Sequence, residues 1–417
     1  MLMEVNQNSQ ISQDSSIKLP SDTKEVSKLI RKSYQSNSPI EIIGSGSKKN
    51  IGKPLQASTT ISLSNLSGII DYKPEELYIK VKAGTPLRII EEELKKNKQF
   101  LAFDPIDFGH LFIGSSKQGT AGGAISTNLS GPRRFTSGSA RDHILGFKGV
   151  NGKGEIIKSG GNVVKNVTGY DLSKLVTGAY GTLVVLTEVT LKVLPLSESN
   201  ETLVIHDLHL EHGTEILSSS INYSNEISGA VFFPENTINI FKLNDLKEDG
   251  SITALRLEGS KKSRERSVEK IIDNLSLTNK KISVLGQFQS NLFWDKVKNL
   301  EIFNNTKNSV LRIVIPPSEC TNLIRRLKVY ASRYYIDWAG SLIWVETNNL
   351  NKDILKEIRK KVYNASGYLT LIKSTSSLRS TEDVFTSEVI KFKIYEKIKK
   401  SFDPKRIINP GKMYIGI

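Results

Sequence analysis

Residues 102–190 read AFDPIDFGHLFIGSSKQGTAGGAISTNLSGPRRFTSGSARDHILGFKGVNGKGEIIKSGGNVVKNVTGYDLSKLVTGAYGTLVVLTEVT, and roughly half of the chain's 30 glycines fall inside this stretch. Between the glycines stand Ser, Thr, Asn, Lys and Arg, with few long apolar side chains. Glycine has no Cβ, so backbone N–H groups there can approach a ligand closely and φ can turn positive. Several such loops in succession describe a chain wrapped around a large, extended, anionic molecule. A dinucleotide has that shape and charge.

Upstream, GSGSKKN (44–50) follows the short apolar strand IEII (40–43). Its glycines free successive N–H groups to form an anion-binding nest, and Lys48 and Lys49 add charge where a pyrophosphate would sit. The pattern departs from the Rossmann GxGxxG: the third glycine is missing and no amphipathic helix follows directly. Inside the long stretch, GTAGGAISTN (119–128) offers paired glycines with Thr120, Ser126 and Thr127 able to bond phosphate or ribose. KNVTGYDLSKLVTGAYGTL (165–183) then places Asn166, Thr168 and Asp171 before a short helix, with turns at Gly178 and Gly181 leading into a buried strand. Each loop alone reads equally well as a turn. Their order and spacing together are specific.

At 417 residues the chain is too long for one ordinary core, so two domains are expected. One cysteine, Cys320, excludes an intrachain disulfide and a Cys-ligated iron–sulfur cluster. It reads as a buried, inert thiol. Electrons crossing this chain therefore need an organic cofactor or a partner. No apolar run reaches the roughly 18 residues of a transmembrane helix, and MLMEVNQNSQ is no secretory signal. A cytoplasmic protein is expected, able to sit peripherally at the inner face of a membrane. The net charge of +15 fits nucleic acid, an anionic membrane or an acidic partner. Its lysines and arginines lie in helical runs such as KKSRERSVEK (261–270) and KFKIYEKIKK (391–400), which read as solvated helix faces, and no nucleic-acid motif accompanies them.

The remaining pattern divides the chain. Residues 1–19 are polar and expected to be disordered. A helix is expected from Asp22 to Tyr34, capped by Ser21 or Asp22, and another over 85–99 with Thr85 at its N-cap and Pro86 at its first position. Residues 20–196 form the ligand-binding domain. Residues 197–400 mix strands (254–258, 310–316, 341–347) with helices (268–275, 323–334) and are expected to make an α+β cap. Residues 401–417 return to the first domain. The run HDLHLEH (206–212) has metal-like spacing, but positions 206 and 209 fall on opposite faces of a strand, so an exposed polar strand is expected and no metal is assigned.

The loops are similar to those of the vanillyl-alcohol-oxidase/p-cresol-methylhydroxylase FAD-binding superfamily. GSGSKKN resembles its pyrophosphate loop, GTAGGAISTN its ATxGGxxxTN-like segment, and GYDLSKLVTGAYGTLVVLTEVTLKVLP (169–195) its GYDLxxLxxGSxGTLGIITExTLKLxP segment. Within it, SGPRRFTSGSARDHILGFK (130–148), GGNVVKNVTGYDLSKL (160–175) and INPGKMY (408–414) resemble the FAD-binding E subunits of glycolate oxidases. The resemblance implies a flavin domain of two subdomains with FAD stretched between them. It implies that Gly44, Ser45, Gly46, Ser47 and Lys48 hold the pyrophosphate. It places Pro105, Thr120, Gly122, Gly123, Ser126 and Asn128 around the flavin and ribityl chain, with Arg133, Ser137 and Arg141 along the same wall. Val185 would present backbone to a ring edge, and Asn409 and Gly411 would return to the flavin. One position departs: Val184 stands where the family usually has glycine.

Many superfamily members tether FAD through a histidine in the slot held here by Ser47, so non-covalent FAD is expected. Members that oxidise 2-hydroxy acids carry a histidine- and glutamate-rich metal cluster in the cap, and this chain has no histidine after His212. Removing a hydride from an alcohol carbon requires a base for the hydroxyl proton. The sequence selects none; Arg256, Arg312, Tyr334 and Tyr335 are open candidates. The resemblance thus implies a flavin subunit of a glycolate oxidase complex, partnered by a sister flavin subunit and an iron–sulfur subunit, with a small 2-hydroxy acid as the substrate of the complex. A self-sufficient oxidoreductase and a non-catalytic scaffold are the alternatives.

Overall fold

The computed structural model of the chain describes residues 16–114, 119–161, 170–235, 237, 241, 250–386 and 389–417. Asn166 and Thr168 lie outside these. The first helix, Thr23–Ser36, starts where the sequence places its cap: the Asp22 side chain accepts from the Glu25 N–H at 2.8 Å. Its Val26 and Ile30 are fully buried against a small parallel sheet of Ser16–Lys18, Thr59–Ser62 and Ile40–Ile43. Ser16–Lys18 belongs to the segment expected to be disordered; it is ordered by pairing with Thr59–Ile61.

A five-stranded antiparallel sheet follows, in the order Ile69–Lys73, Tyr78–Lys82, Val184–Lys192, Ile144–Asn151, Ile156–Gly160. The helix Leu87–Lys96 covers it with Leu87, Ile90 and Leu94. Thr85 does not cap this helix. Its hydroxyl donates to the Lys82 carbonyl and accepts from the Gly68 N–H, closing the turn before it, and Pro86 holds the cap position.

The second domain is an eight-stranded antiparallel sheet, ordered Ile282–Leu285, Ser199–His206, Ile252–Gly259, Ile227–Phe233, Ala331–Asp337, Leu342–Thr347, Ser309–Val314, Tyr368–Lys373. Both faces are buried, which is why its strands read as nearly continuous apolar runs. Leu203, Leu255 and Ile343 face helices Leu210–Ser220 and Cys320–Leu327. Val204, Phe233 and Trp344 face Ile106, Phe108 and Leu111 of the flavin-type domain. The expected helix over 323–334 is overturned. The helix ends at Leu327, and Ala331–Asp337 is a strand, because Tyr335 and Ile336 bury on opposite faces of the sheet. Likewise only His206 of the 206–212 run is in a strand. His209 caps, and His212 lies within, the helix Leu210–Ser220.

The last helix, Val389–Phe402, lies mostly within the stretch expected to be cap but joins the two domains. Phe392 and Tyr395 pack on the cap core, Ile398 and Phe402 on the flavin-type core. Buried Lys399 pairs with Asp403 at 2.9 Å and donates to the carbonyls of Thr182 and Ile408. Among the described residues no helix is long and apolar enough to cross a membrane.

Candidate functional site

Between the small parallel sheet and the five-stranded sheet lies a cleft with about 780 Å³ of empty space, open solvent included. Its loop end is Gly44, Ser45, Gly46, Ser47 and Lys48; Thr120, Gly122, Gly123 and Ser126 form one wall, and Val184, Val185 and Asn409 another. Gly46 has φ +81°, a conformation that needs glycine. Gly44 and Gly122 are glycines for a different reason. A Cβ at Gly44 would sit 2.3 Å from Thr120 Oγ1, and one at Gly122 would sit 2.9 Å from Ala83 Cβ. The close approach there is between protein segments.

The N–H groups divide in the same way. Gly122 N donates to the Ala83 carbonyl at 2.7 Å, and Gly123 N to Thr120 Oγ1 at 3.2 Å, so the glycine pair spends its amides inside the fold. The amides of Gly46, Ser47 and Lys48 donate no backbone–backbone hydrogen bond among the described residues. Lys48 Nζ is sealed from solvent with no hydrogen-bond partner among the described residues, and burial pulls its pKa down to about 8. Lys412, buried across the loop, donates to the Lys49 carbonyl at 2.7 Å, and burial pulls it down to about 8 as well. Lys49 is neutralised by Glu41 at 3.1 Å. A row of unspent amides beside two desolvated ammonium groups suits a pyrophosphate, which would supply the missing acceptors.

Asn409 is the keystone. Its backbone is left-handed (φ 44°), its Oδ1 accepts from Ile42 N at 2.8 Å, and its Nδ2 donates to the Tyr180 carbonyl at 3.1 Å. One side chain thus ties the tail to the strand before the loop and to the turn before Val184. Val184 points its Cγ1 toward Gly149 on the neighbouring strand, where a Cβ would approach to 2.6 Å. The room for the valine at the family's glycine position is therefore made by a glycine elsewhere.

Pro105, Asn128, Arg133, Ser137, Arg141 and Gly411 stand outside the cleft lining. Pro105 bridges to Ser130, and Asn128 ends the helix Ala121–Thr127 and accepts from Arg141 N. The Arg141 side chain is exposed, and the Ser137 carbonyl pairs with His143 Nε2 at 2.7 Å. Gly411 turns the tail so that its N–H reaches the Ile417 carbonyl. Arg133 is held by Asp104 and Glu258, each at 2.6 Å, where it joins the two domains. The cleft also contains residues that loop patterns did not single out: Glu41, Tyr180 and Lys412. Lys412 sits within INPGKMY and Tyr180 within GYDLSKLVTGAYGTL, so the motifs carried the signal for both; Glu41 carried none.

The open candidates for substrate contact separate as well. Arg256 is spent on Ser228 and sits 3.6 Å from Asp104. Tyr335 is buried in an aromatic cluster with Phe233 and Phe303, and burial raises Tyr334 to about 12. Arg312 has neither a side-chain hydrogen bond nor a carboxylate within ion-pair distance among the described residues, and Tyr180 is near enough to act on its charge.

Residues 15–160 match the model of the family described as FAD binding domain. The chain is 29% identical over 386 residues to glycolate oxidase subunit GlcE of Escherichia coli (strain K12), covering 92% of this chain and 95% of that protein. It is 24% identical to glycolate oxidase subunit GlcD of Bacillus subtilis (strain 168), covering 95% of this chain and 88% of the relative. Its fold is similar to a crystal structure of p-cresol methylhydroxylase with substrate bound, with a TM-score of 0.70 at 14% identity, over 96% of this chain and 88% of that one.

Proposed function

For a chain that carries the FAD-binding fold of the vanillyl-alcohol-oxidase/p-cresol-methylhydroxylase superfamily, we propose the role of FAD subunit in a glycolate oxidase-type complex. The chain is an FAD-dependent oxidoreductase acting on the CH–OH group of small hydroxy acids. In that role it works beside a sister flavin subunit and an iron–sulfur subunit that carry electrons onward. The observation that carries the reading is the cleft: unspent amides at Gly46, Ser47 and Lys48, desolvated Lys48 and Lys412, and Asn409 closing the far wall.

Gly46, Ser47 and Lys48 would hold the pyrophosphate, with Lys412 adding charge from the tail. Thr120, Ser126 and Val185 would border the rest of the cofactor. FAD supplies the acceptor for the hydride that leaves an alcohol carbon as it becomes a carbonyl. The hydroxyl proton needs a separate base, and none of the cleft-lining side chains is a histidine. That favours substrate oxidation centred on the sister subunit, with this chain's flavin as relay. Ser47 offers no imidazole for a covalent tether, so FAD is held non-covalently. The protein is cytoplasmic, and its positive charge suits docking to an acidic partner or an anionic membrane face.

Purification of the chain alone tests this. One acid-extractable FAD per chain, no bleaching by glycolate alone, and bleaching once native partners are added are expected. A yellow precipitate after acid would overturn the non-covalent assignment. Bleaching by glycolate alone would establish the second reading, a self-sufficient oxidoreductase, which the uncompensated Arg312 favours. A colourless protein would mean a scaffold.

A further inference from the structure

We infer that the free edge of the eight-stranded sheet, at Ile282–Leu285, takes up an extended strand of a partner chain. That strand is apolar along its length and acidic at the end that meets Lys280 and Lys281. This deepens the functional reading above by locating a partner surface, and it rests on that reading for the existence of a partner.

Ile282–Leu285 is the last strand on its side of the sheet and pairs only with Ser199–His206 among the described residues. Residues along an antiparallel pair alternate between exchanging hydrogen bonds and turning their main-chain groups away. His206 N donates to the Lys281 carbonyl at 2.9 Å, which sets the phase. Ser283 and Leu285 therefore turn their N–H and C=O groups inward to Val204 and Thr202, and Ile282 and Val284 turn theirs outward. Among the described residues no backbone–backbone hydrogen bond from outside the sheet reaches those outward groups. Apolar side chains bracket the open row. Val284 stands opposite Leu203 and is more than half exposed. On the face of Leu285 the helix Gln287–Lys298 buries Phe293, Trp294 and Val297, yet leaves Phe288 81% exposed and Leu292, one turn on, exposed as well. The helix is fixed there. Trp294 Nε1 donates to Thr202 Oγ1 at 2.8 Å, and Asn200 Nδ2 donates to Asn291 Oδ1 at 2.9 Å, so both bonds tie it to the neighbouring strand.

Edge strands are ordinarily blunted by a charge, a proline or a covering loop. The strand ISVL carries neither charge nor proline. An uncovered main-chain row flanked by large apolar side chains marks an interaction surface. Its chemistry selects the occupant. Outward amides alternating with outward carbonyls match another polypeptide strand, which supplies the same groups at the same spacing. A lipid surface or a nucleic acid offers no such row. Side chains of an added strand alternate between the two faces. Those on one face meet Val284, those on the other meet Phe288 and Leu292, and apolar residues suit both. Lys280 and Lys281, at the entry to the strand, are both exposed. An acidic residue at that end of the incoming segment complements them, which steers the encounter and fixes the register. With four residues the strand gives little main-chain pairing by itself, so burial of the apolar anchors carries the rest of the affinity.

The test is residue-resolved hydrogen–deuterium exchange on the FAD-loaded full chain, alone and in the complex that co-purifies with it and oxidises glycolate. In the chain alone the amides of Ile282 and Val284 should exchange freely, while those of Ser283 and Leu285 are protected by the chain's own sheet. In the complex Ile282 and Val284 should slow at least about tenfold. Two variants extend the test. Val284→Pro removes an outward N–H that the chain's own sheet does not use, and Phe288→Glu places an anion where the apolar, acidic-ended segment docks. Each isolated variant should keep its FAD and its melting temperature, and bind the partner subunits at least about tenfold more weakly. If Val284→Pro does not fold, Phe288→Glu decides. Amides of Ile282 and Val284 that exchange as fast in the complex as alone overturn the inference, as does unchanged partner binding by Phe288→Glu. Protection of both amides in the chain alone, with a doubled mass by light scattering, gives the edge to a second copy and also overturns it. An FAD-loaded, active complex with an open edge sinks this inference alone. A colourless chain, or a complex that leaves glycolate untouched, sinks the functional reading, and exchange at the two amides then still decides whether a partner strand is bound.

Discussion

Arg133 and Arg134 are neighbours in the sequence and opposites in the fold. Arg133 sends Nη1 to Asp104 and Nε and Nη2 to Glu258, and its ring contact is Phe100 at 4.8 Å. Burial pushes the Glu258 carboxyl up, yet the charges of Arg256 and Arg133 outweigh it and hold the group down at about 2. The same happens at Asp104. Among the described residues Arg134 has the Trp338 ring and the charge of Asp142, which is occupied as the cap partner of Ser139. One arginine clasps the two domains; the other has no ion pair among the described residues. Buried charge therefore has two meanings in this molecule, and only the partner distinguishes them.

The comparison breaks most sharply at Arg133. Arg133→Met removes the hydrogen-bonded partner of both Asp104 and Glu258 and leaves them only the charge of Arg256, 3.6 Å from Asp104, and should cost about 3 kcal/mol in unfolding free energy, read from urea denaturation. A loss under about 1 kcal/mol would show the clasp to be dispensable.

The pH dependence has opposite signs at the two kinds of site. Glu258 and Asp104 have depressed pKa values in the folded chain, so their stabilisation is present above the ordinary carboxyl range and lost as pH falls toward about 2. The wild-type advantage over Arg133→Met should shrink accordingly in acid. Lys48 and Lys412 are depressed to about 8 from 10.5, so the folded apoprotein carries a penalty that is full below about 8 and fades as pH rises to 10.5. Apoprotein stability relative to Lys48→Met should rise across that window. No change in either difference would contradict the assignment.

Lys48→Met sharpens the unpaired case. FAD affinity, titrated by flavin fluorescence quenching, should fall about tenfold while the apoprotein melts no earlier. An earlier melt would make Lys48 structural. At the small end, Arg325 and Glu211 form the same chemical pair as the clasp, with both side chains more than half exposed. Arg325→Ala should change stability by less than about 1 kcal/mol, as water screens what the interior does not.

The flavin-type half was largely legible in the sequence because its signals are local. Asp22 caps three residues on, Ile40–Ile43 runs into GSGSKKN, and Asp171 caps the short helix Leu172–Val176. The failures share one cause. Thr85 looked like a cap, but Gly68 claimed its hydroxyl. Residues 331–334 looked helical, but the sheet between Ile227–Phe233 and Leu342–Thr347 claimed them. Arg133 looked like cofactor wall because Glu258, which claims it, lies far along the chain.

The sequence by itself determined the order of the glycine loops, the amides left open at Gly46 to Lys48 and the slot filled by Ser47, since these depend on residues within a turn of each other. Tertiary structure alone decided which glycines make room for neighbouring segments, that Asn409 and Lys412 line the cleft, and that of two adjacent arginines one is ion-paired and the other, among the described residues, is not. Those outcomes depend on carboxylates, carbonyls and Cβ positions brought from distant segments. A buried charge has no meaning until its nearest opposite charge is in place.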